Sequence, residues 1–314
     1  MIAPRLLARL TEKQARLDAL RPLPAGAVRR LNQLFAVEWT YNSNAIEGNT
    51  LTLRETQLIL ETGLTIGGKS LREHFEVINH QSAIEYVEAL ARHDEPITPY
   101  HIRQIHSLVL TTIDPDNAGK YRDVTVRIAG TQREPPDAWE LPRLKNEWDE
   151  WLRGAAQLLH PIEQAALAHH RLTAIHPFID GNGRTARLIM NLLLLRQGYP
   201  PAVILTINRR QYYRVLQQAD RGDEAPLANF VGRSLERSLN LYLEAMTPRT
   251  QVPPREEQWI PLRDAARDTP YSQEYLSLLA RTGRLEAMKR GRVWYTTSRA
   301  VEIYRQSLKD LRNR

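Results

Sequence analysis

The feature that most constrains the fold is a twelve-residue stretch, His176 to Arg187, that lies between two apolar helical patterns. The first predicted helix covers residues 162–173 and is rich in alanine and leucine. The second covers 185–197 and is apolar around most of its circumference, which is typical of a buried helix. The loop between them is therefore fixed at both ends by a packed core.

Two glycines bracket an asparagine where the second helix begins, in the order Gly181-Asn182-Gly183. Small residues at a helix start let consecutive backbone N–H groups point at one place, with the positive end of the helix dipole behind them. This arrangement predicts an anion site. Three polar side chains recur on one side of the helix and need partners in the protein or a ligand. We assign all three to ligand binding, and they are Arg184, Arg187 and Asn191.

Two side chains beside the glycines indicate which chemistry the anion site supports. Asp180 is a hard oxygen donor of the type that holds magnesium against phosphates. His176 stands at the start of the loop and is suited to take a proton from an attacking hydroxyl near neutral pH. Two arginines beside an anion nest match the several oxygens of a polyphosphate. Together these residues predict phosphate-group chemistry.

The stretch matches, at every defined position, the signature of the Fic family, His-x-Phe-x-Asp/Glu-Gly-Asn-Gly-Arg-x-x-Arg. The chain thus resembles proteins that transfer AMP from ATP to a hydroxyl of a target protein. The resemblance implies a mainly α fold with a Fic-type helical core and a small β-hairpin flap, ATP as substrate and Mg²⁺ as cofactor. It also implies that His176 is the general base and Asp180 the magnesium ligand. The glycine nest and the two arginines would hold the phosphates.

A second motif lies upstream, at the end of a helix predicted over 26–46. Ser43 and Glu47 are four residues apart and share a helix face, and Gly48 follows. Most glutamates are simply solvated. The spacing Ser/Thr-x-x-x-Glu-Gly/Asn is, however, that of the inhibitory motif in Fic proteins with an N-terminal inhibitory helix. The resemblance implies that Glu47 pairs with Arg187 and prevents productive placing of the ATP γ-phosphate.

A short strand is predicted before the signature, with apolar and polar residues in alternation and a turn after it. Its residues are Val124, Thr125, Val126, Arg127 and Ile128. A lone hairpin in a helical protein is often only a surface feature. The resemblance implies instead that this hairpin is the Fic flap, whose edge pairs with the main chain of a target protein.

Aromatic and histidine side chains allow two further interpretations. Tyr212 and Tyr213 resemble the aromatic positions that Fic proteins place near the nucleotide base, and we assign Tyr213 to nucleotide binding; either residue could instead be core. His169, His170 and His176 raise the alternative of a transition-metal site. No carboxylate lies at the short helical spacings that such sites use, so packed histidines are favoured.

The C-terminal part of the chain carries most of the net charge of +7. Residues 249–314 contain 14 Lys and Arg against 8 Asp and Glu, a surplus of 6. Two short helices and a hairpin with a basic tip resemble a winged helix-turn-helix. Such a module would either bind DNA phosphates or serve in protein docking or homodimerisation. The residues for DNA binding are Arg281, Lys289, Arg290 and Arg292.

The predicted organisation has four parts. They are an N-terminal helical region with the inhibitory helix (1–98), a Fic catalytic core (99–246), a proline-containing linker (247–257) and the winged-helix-like domain (258–314). The chain has no cysteine, apolar signal segment or membrane span, which favours a soluble protein of the reducing cytoplasm. Two alternatives to AMP transfer stay open. One is AMP removal, with Glu47 orienting water, and the other is a DNA-binding regulator whose Fic site senses nucleotide or modifies the chain itself.

Overall fold

The structure is a computed structural model of the 314-residue chain. It describes residues 1–127, 134–246 and 259–304, apart from 268, 270, 283, 284, 292, 299, 303 and the side chain of 290. The chain divides into two compact units, Met1–Thr247 and Pro248–Arg314. The regular elements described in the first unit are all helices, and the second contains a small sheet. The predicted mainly α fold class is therefore confirmed.

The first unit is built from α-helices joined by short loops. In chain order they are α1 Pro4–Ala19, α2 Ala25–Ile46, α3 Leu53–Thr62, α4 Leu71–Ala91, α5 Pro99–Leu110, α6 Leu141–Arg153, α7 Pro161–Ile175, α8 Asn182–Arg196, α9 Arg209–Asp220 and α10 Ala225–Met246. The helices predicted over 26–46, 162–173 and 185–197 are confirmed, with α8 beginning at the glycine pair. None of the described helices combines the length and the apolar character that crossing a membrane requires.

Helix α8 is the centre of the core and packs against α7, α4 and α5. Its Leu188, Ile189 and Met190 are fully buried, and burial of a side chain of this size contributes about 1.5–3 kcal/mol. The core is continuous from Ile2 to Met246. The predicted N-terminal region and catalytic core are thus parts of one compact unit, and the loop before α8 is held by that core.

Helices α2 and α4 are tied together where they approach the signature loop. Helix α4 begins with a capping box in which Ser70 and Glu73 exchange hydrogen bonds. The Glu73 carboxylate also accepts from the Thr50 amide at 2.8 Å, and Asn49 donates to the Glu73 carbonyl at 3.1 Å. Hydrogen bonds to Thr50 and Ser70 lower the pKa of Glu73 to about 2. The chain segment after Glu47 therefore rests on α4.

The second unit contains β1 Ile260–Pro261, α11 Leu262–Ala265, α12 Gln273–Arg281, β2 Ala287–Arg290 and β3 Val293–Thr296. The strands form an antiparallel sheet in the order β1-β3-β2, with Arg290 opposite Val293 at the hairpin end. The predicted hairpin and second helix are confirmed. Arg281 and Lys289 are exposed. Arg292, the Arg290 side chain and the linker 247–257 lie outside the described residues.

The predicted flap is only partly described. Val124 is half exposed, and residues 124–127 and 134–137 lie in loop rather than in a strand. Within the described residues Val124, Thr125, Val126 and Arg127 form no strand, but most of the return strand predicted to pair with them lies outside the described residues, so the hairpin stays a prediction. Ile128 and the predicted turn lie outside the described residues.

Candidate active site

The signature loop is fixed by two residues with left-handed backbone. His176 ends α7 with φ 50°, the one positive φ of a non-glycine among the described residues, and Gly181 precedes α8 with φ 73°. Asn182 closes the loop from inside, because its amide oxygen accepts from the Phe178 N–H at 3.0 Å and its amide nitrogen donates to the Phe178 carbonyl at 2.8 Å. The Asn182 side chain is thus structural, and its backbone belongs to the nest.

His106 of α5 supports this loop, although no sequence motif singled it out. Its ring stacks on Phe178 with centroids 3.6 Å apart. Its Nδ1 accepts from the Gly119 N–H at 2.9 Å, so Nε2 carries the proton and donates to the Asp180 carbonyl at 2.9 Å. Burial lowers the pKa of His106 to about 4, which keeps the ring neutral. A Cβ on Gly181 would lie 3.3 Å from Nε2, so this contact also explains the glycine.

The His176 imidazole faces the cavity above the loop. Its Nδ1 donates to the Thr173 carbonyl at 3.3 Å, which leaves the Nε2 lone pair available. Burial lowers the pKa of His176, and the Thr173 carbonyl opposes this shift. The ring is therefore neutral at pH 7, as a general base must be before it takes a proton.

The first turn of α8 forms an anion site with a buried cation beside it. The initial amides of a helix have no acceptor within the helix and point outward at its positive end. The Arg184 side chain is only 3% exposed, and its Nε and Nη1 have no hydrogen-bond acceptor among the described residues. Its carboxylate neighbours are distant, Asp180 at 3.5 Å and Glu76 at 3.8 Å. Buried cationic donors of this kind, beside the first amides of α8, are suited to bind an anion.

Glu47 occupies this anion site from the side of α2. Its Oε1 accepts from Arg187 Nη2 at 2.7 Å, and a Cβ on Gly183 would collide with the same carboxylate. Arg187 Nε donates to Ser43 Oγ at 3.0 Å, and Nη2 donates to the Ser43 carbonyl at 2.8 Å. The pair of Glu47 with Arg187 that the motif implied is thus present, and it covers the glycine nest.

Arg187 is also held by Tyr212 of α9. The Tyr212 hydroxyl lies 2.8 Å from His169 Nε2 and 3.4 Å from Arg187 Nη1, and burial raises the pKa of Tyr212 to about 12. Tyr212 is therefore a buried residue that also contributes to the cavity lining, and the half-buried Tyr213 lines the same cavity. His170 faces Asp220 at 2.9 Å. The three histidines considered for a metal site thus have separate partners.

The Asp180 carboxylate is partly exposed at the cavity wall, with its side chain 46% accessible. It accepts from the Gly181 N–H at 2.6 Å and from Arg72 of α4 at 3.1 Å. Among the described residues no cluster of three metal-ligating side chains occurs. Magnesium is commonly held by one or two carboxylates together with substrate phosphates and water. A single carboxylate beside an anion site fits that donor set.

The structure places Asn191 away from the cavity, which does not fit its predicted role in ligand binding. It is fully buried and does not line the cavity. Its side chain accepts from the Ala202 N–H at 2.7 Å and donates to the Ala202 carbonyl at 3.4 Å. At about 1.5 Å per residue, Asn191 lies roughly 13 Å along the helix from Asn182. Helical spacing correctly indicated that Asn191 needs a partner, and that partner is the protein chain.

The cavity above the loop has a volume of about 310 Å³. Its lining includes His176, Asp180, the nest and the two arginines, together with several side chains of α9. Arg127 of the flap segment also lines the cavity. The volume lies at the lower end of the range for small-ligand sites. The lining residues of α9 are Tyr212, Tyr213, Leu216, Gln217 and Asp220.

Comparisons with known proteins agree with this geometry. The family model described as the Fic/DOC family matches residues 96–194. A protein from Nematostella vectensis named protein adenylyltransferase Fic is 42% identical over 247 residues, which is 77% of this chain and 56% of that protein. The chain spans about half the length of the curated relatives it matches.

Two solved structures share the fold. A Fic-domain-containing signalling protein from Bacteroides thetaiotaomicron superposes with a TM-score of 0.71 at 32% identity, over 76% of this chain and 97% of that one. Fic-1 from C. elegans, residues 134–508, has a TM-score of 0.70 at 35% identity, over 77% and 72% of the two chains.

Proposed function

The chain belongs to the Fic/DOC family, and on that premise we propose that it is a protein adenylyltransferase, which moves AMP from ATP to a hydroxyl side chain of another protein. One observation carries the proposal. The neutral His176 imidazole opens onto the same cavity as the buried, incompletely bonded Arg184 and the start of α8. A base and a polyanion site in one cavity are what nucleotidyl transfer requires. The names of the relatives support the same activity.

The reaction follows from the positions of these groups. The target hydroxyl oxygen attacks the α-phosphorus of ATP while its proton passes to His176 Nε2. The bond between the α-phosphorus and the bridging oxygen breaks, and pyrophosphate leaves with that electron pair. The amides of α8, Arg184 and Arg187 stabilise the negative charge that develops on the phosphates. No covalent enzyme intermediate is required.

Magnesium is the second part of the proposal. Asp180 would hold it together with phosphate oxygens, and when bound the ion would neutralise phosphate charge. Arg72 of α4 forms an ion pair with the Asp180 carboxylate and so partly neutralises its negative charge.

Glu47 is proposed to restrain the activity. Its carboxylate lies where a phosphate would meet both Arg187 and the nest around Gly183. Two anions cannot share that position without strong repulsion. Nucleotide that binds while Glu47 is in place would therefore be displaced from the reactive position.

The proposal is tested by incubating the chain and cell lysate with ATP labelled at the α-phosphate. We expect Glu47→Gly to raise the label incorporated into protein, because it frees Arg187. Adding His176→Ala to that variant should abolish incorporation, since the base is lost. Equal labelling by wild type and Glu47→Gly would show that Glu47 does not restrain the activity. Labelling that persists after His176→Ala would show that His176 is not the general base.

We also propose a target-docking site, a role for the C-terminal unit and a cellular compartment. The target would dock at the flap segment, whose Arg127 lines the cavity. The C-terminal unit is proposed as a winged helix that binds DNA; the order of its helices and hairpin and the exposed Arg281 and Lys289 support this. The absence of cysteine supports a reducing compartment such as the cytoplasm.

A further inference from the structure

Arg122 lies between the flap and the signature loop and bonds to both. Its Nε donates to the His176 carbonyl at 2.8 Å. Its Nη1 donates to the Val124 carbonyl at 2.9 Å, and its Nη2 to the Pro136 carbonyl at 2.5 Å. Val124 precedes and Pro136 follows the predicted turn of the flap, so the two carbonyls belong to the two ends of the flap segment, residues 124–136. One side chain therefore connects both ends to the backbone of the proposed base.

The Arg122 side chain is buried, and its hydrogen bonds are specific. Arg122 is only 4% exposed, and burial lowers its pKa, with Asp137 acting in the opposite direction. Its three side-chain bonds all end on main-chain oxygens. Its own N–H donates to the Pro177 carbonyl at 3.0 Å. The donors of a guanidinium point in fixed, separate directions. The buried Arg122 side chain therefore holds the backbone at Val124, Pro136 and His176 in fixed positions relative to one another.

The His176 backbone needs such support. A non-glycine residue rarely adopts a φ of 50°, and it stays there only where the surroundings hold it. The bond from Arg122 to the His176 carbonyl is one such restraint. The neighbouring Tyr121 adds a second contact, because its ring stacks on Phe178 of the loop with centroids 5.1 Å apart. The flap base and the loop therefore touch through both consecutive residues, 121 and 122.

We propose that Arg122 is a positioning residue that holds the base of the flap and the His176 imidazole in one rigid unit, so that a target segment docked at the flap presents its hydroxyl at a fixed distance from that ring. The proposal rests on the proposed adenylyltransferase function for its catalytic consequence. Its structural part, the control of the His176 ring by Arg122, holds independently of that function.

Lysine is the informative replacement at this position. It keeps the positive charge and most of the length, but its single ammonium cannot reach three carbonyls that lie in different directions. Arg103→Lys is a matched control. Arg103 lies on α5 and, among the described residues, donates to a single carbonyl, that of Gly119 at 2.8 Å. It does not contact His176 in the described structure.

The first measurement is the ¹⁵N spectrum of the histidine rings, with the His176 signal assigned from His176→Gln. In the wild type we expect one tautomer, with the proton on Nδ1 where it donates to Thr173. In Arg122→Lys we expect a mixture of tautomers for His176 and unchanged signals for the other eight histidines. Arg103→Lys should match the wild type. If Arg122→Lys does not fold, Arg122→Gln takes its place.

The second measurement uses the most strongly labelled acceptor from the lysate assay, purified, in the Glu47→Gly background. We expect Arg122→Lys to lower kcat by on the order of tenfold or more while the Kd for ATP stays within about twofold, because displacement of a reacting group lowers rate more than binding. An unchanged His176 ring signal, or an unchanged kcat, overturns the proposal. If no variant transfers AMP, the proposed function fails, and the ring spectrum alone decides the role of Arg122.

Discussion

At the scale of single residues, the site contains groups that face the ligand and groups that hold them in place. His176, Asp180 and Glu47 face the cavity, and their identities follow from two short motifs. His106 and Arg122 hold the loop from distant parts of the chain. A motif identifies functional residues that lie close together in the sequence. It cannot show which buried side chain from another segment satisfies a loop carbonyl, because that depends on the packed fold.

His106 gives a residue-scale prediction about acid stability. Its pKa is about 4 in the folded chain and about 6.5 when unfolded, so the unfolded chain takes up the proton first as pH falls. The stability present above pH 6.5 is therefore lost between about pH 6.5 and 4, by up to roughly 3 kcal/mol.

Chemical denaturation at pH 7 and pH 5 measures this effect. His106→Gln should be less stable than wild type at pH 7, since the stacked ring is lost, but should lose less free energy of unfolding between the two pH values. An identical pH dependence in the two chains would show that the His106 ring does not remain neutral when buried.

At the scale of elements, α2 carries the restraint and other helices keep it in position. Arg209 of α9 donates to the Ile46 carbonyl at the end of α2, at 2.7 Å. Asn44 donates to the Glu76 carbonyl of α4 at 3.1 Å. Helix α2 and its glycine stop were predicted from sequence. Its anchors were not, because helical periodicity shows which face is buried and not which helix covers it.

These anchors predict that the restraint can be weakened without touching Glu47. Arg209→Ala removes a hydrogen bond of about 1 kcal/mol, so it should raise AMP transfer by about fivefold at most. The increase should disappear in the Glu47→Gly background, where nothing is left to release. Arg210→Ala, the exposed neighbour, is the control. An equal effect of Arg209→Ala in both backgrounds would mean that it acts on the cavity through Tyr213, whose ring it covers.

The flap shows what alternation in a sequence leaves out. Alternation of Val124 and Val126 predicts a strand, and that strand stays a prediction because most of its predicted partner lies outside the described residues. The structure adds a contact that no alternation could predict, since the Val124 and Pro136 carbonyls both accept hydrogen bonds from the Arg122 guanidinium.

At the scale of the whole molecule, the two compact units differ in net charge. The surplus of 6 positive charges in 249–314 contrasts with a nearly balanced remainder. If the C-terminal unit binds DNA, the full chain should shift duplex DNA in a gel, and binding should weaken steeply with salt. Lys289→Glu with Arg281→Glu should reduce that shift. Salt-insensitive binding, or no binding at low salt, would favour the alternative of a protein-docking module.

In the proposed reaction, the cavity transfers the α-phosphate of ATP together with its adenosine. The most direct test incubates the Glu47→Gly chain and the purified acceptor with ATP labelled at either the α- or the γ-phosphate. We predict that protein becomes labelled from the α-position only, because pyrophosphate leaves with the γ-label. Protein labelled from the γ-position would mean phosphoryl transfer instead, and it would contradict the proposal that the α-phosphorus is the atom attacked.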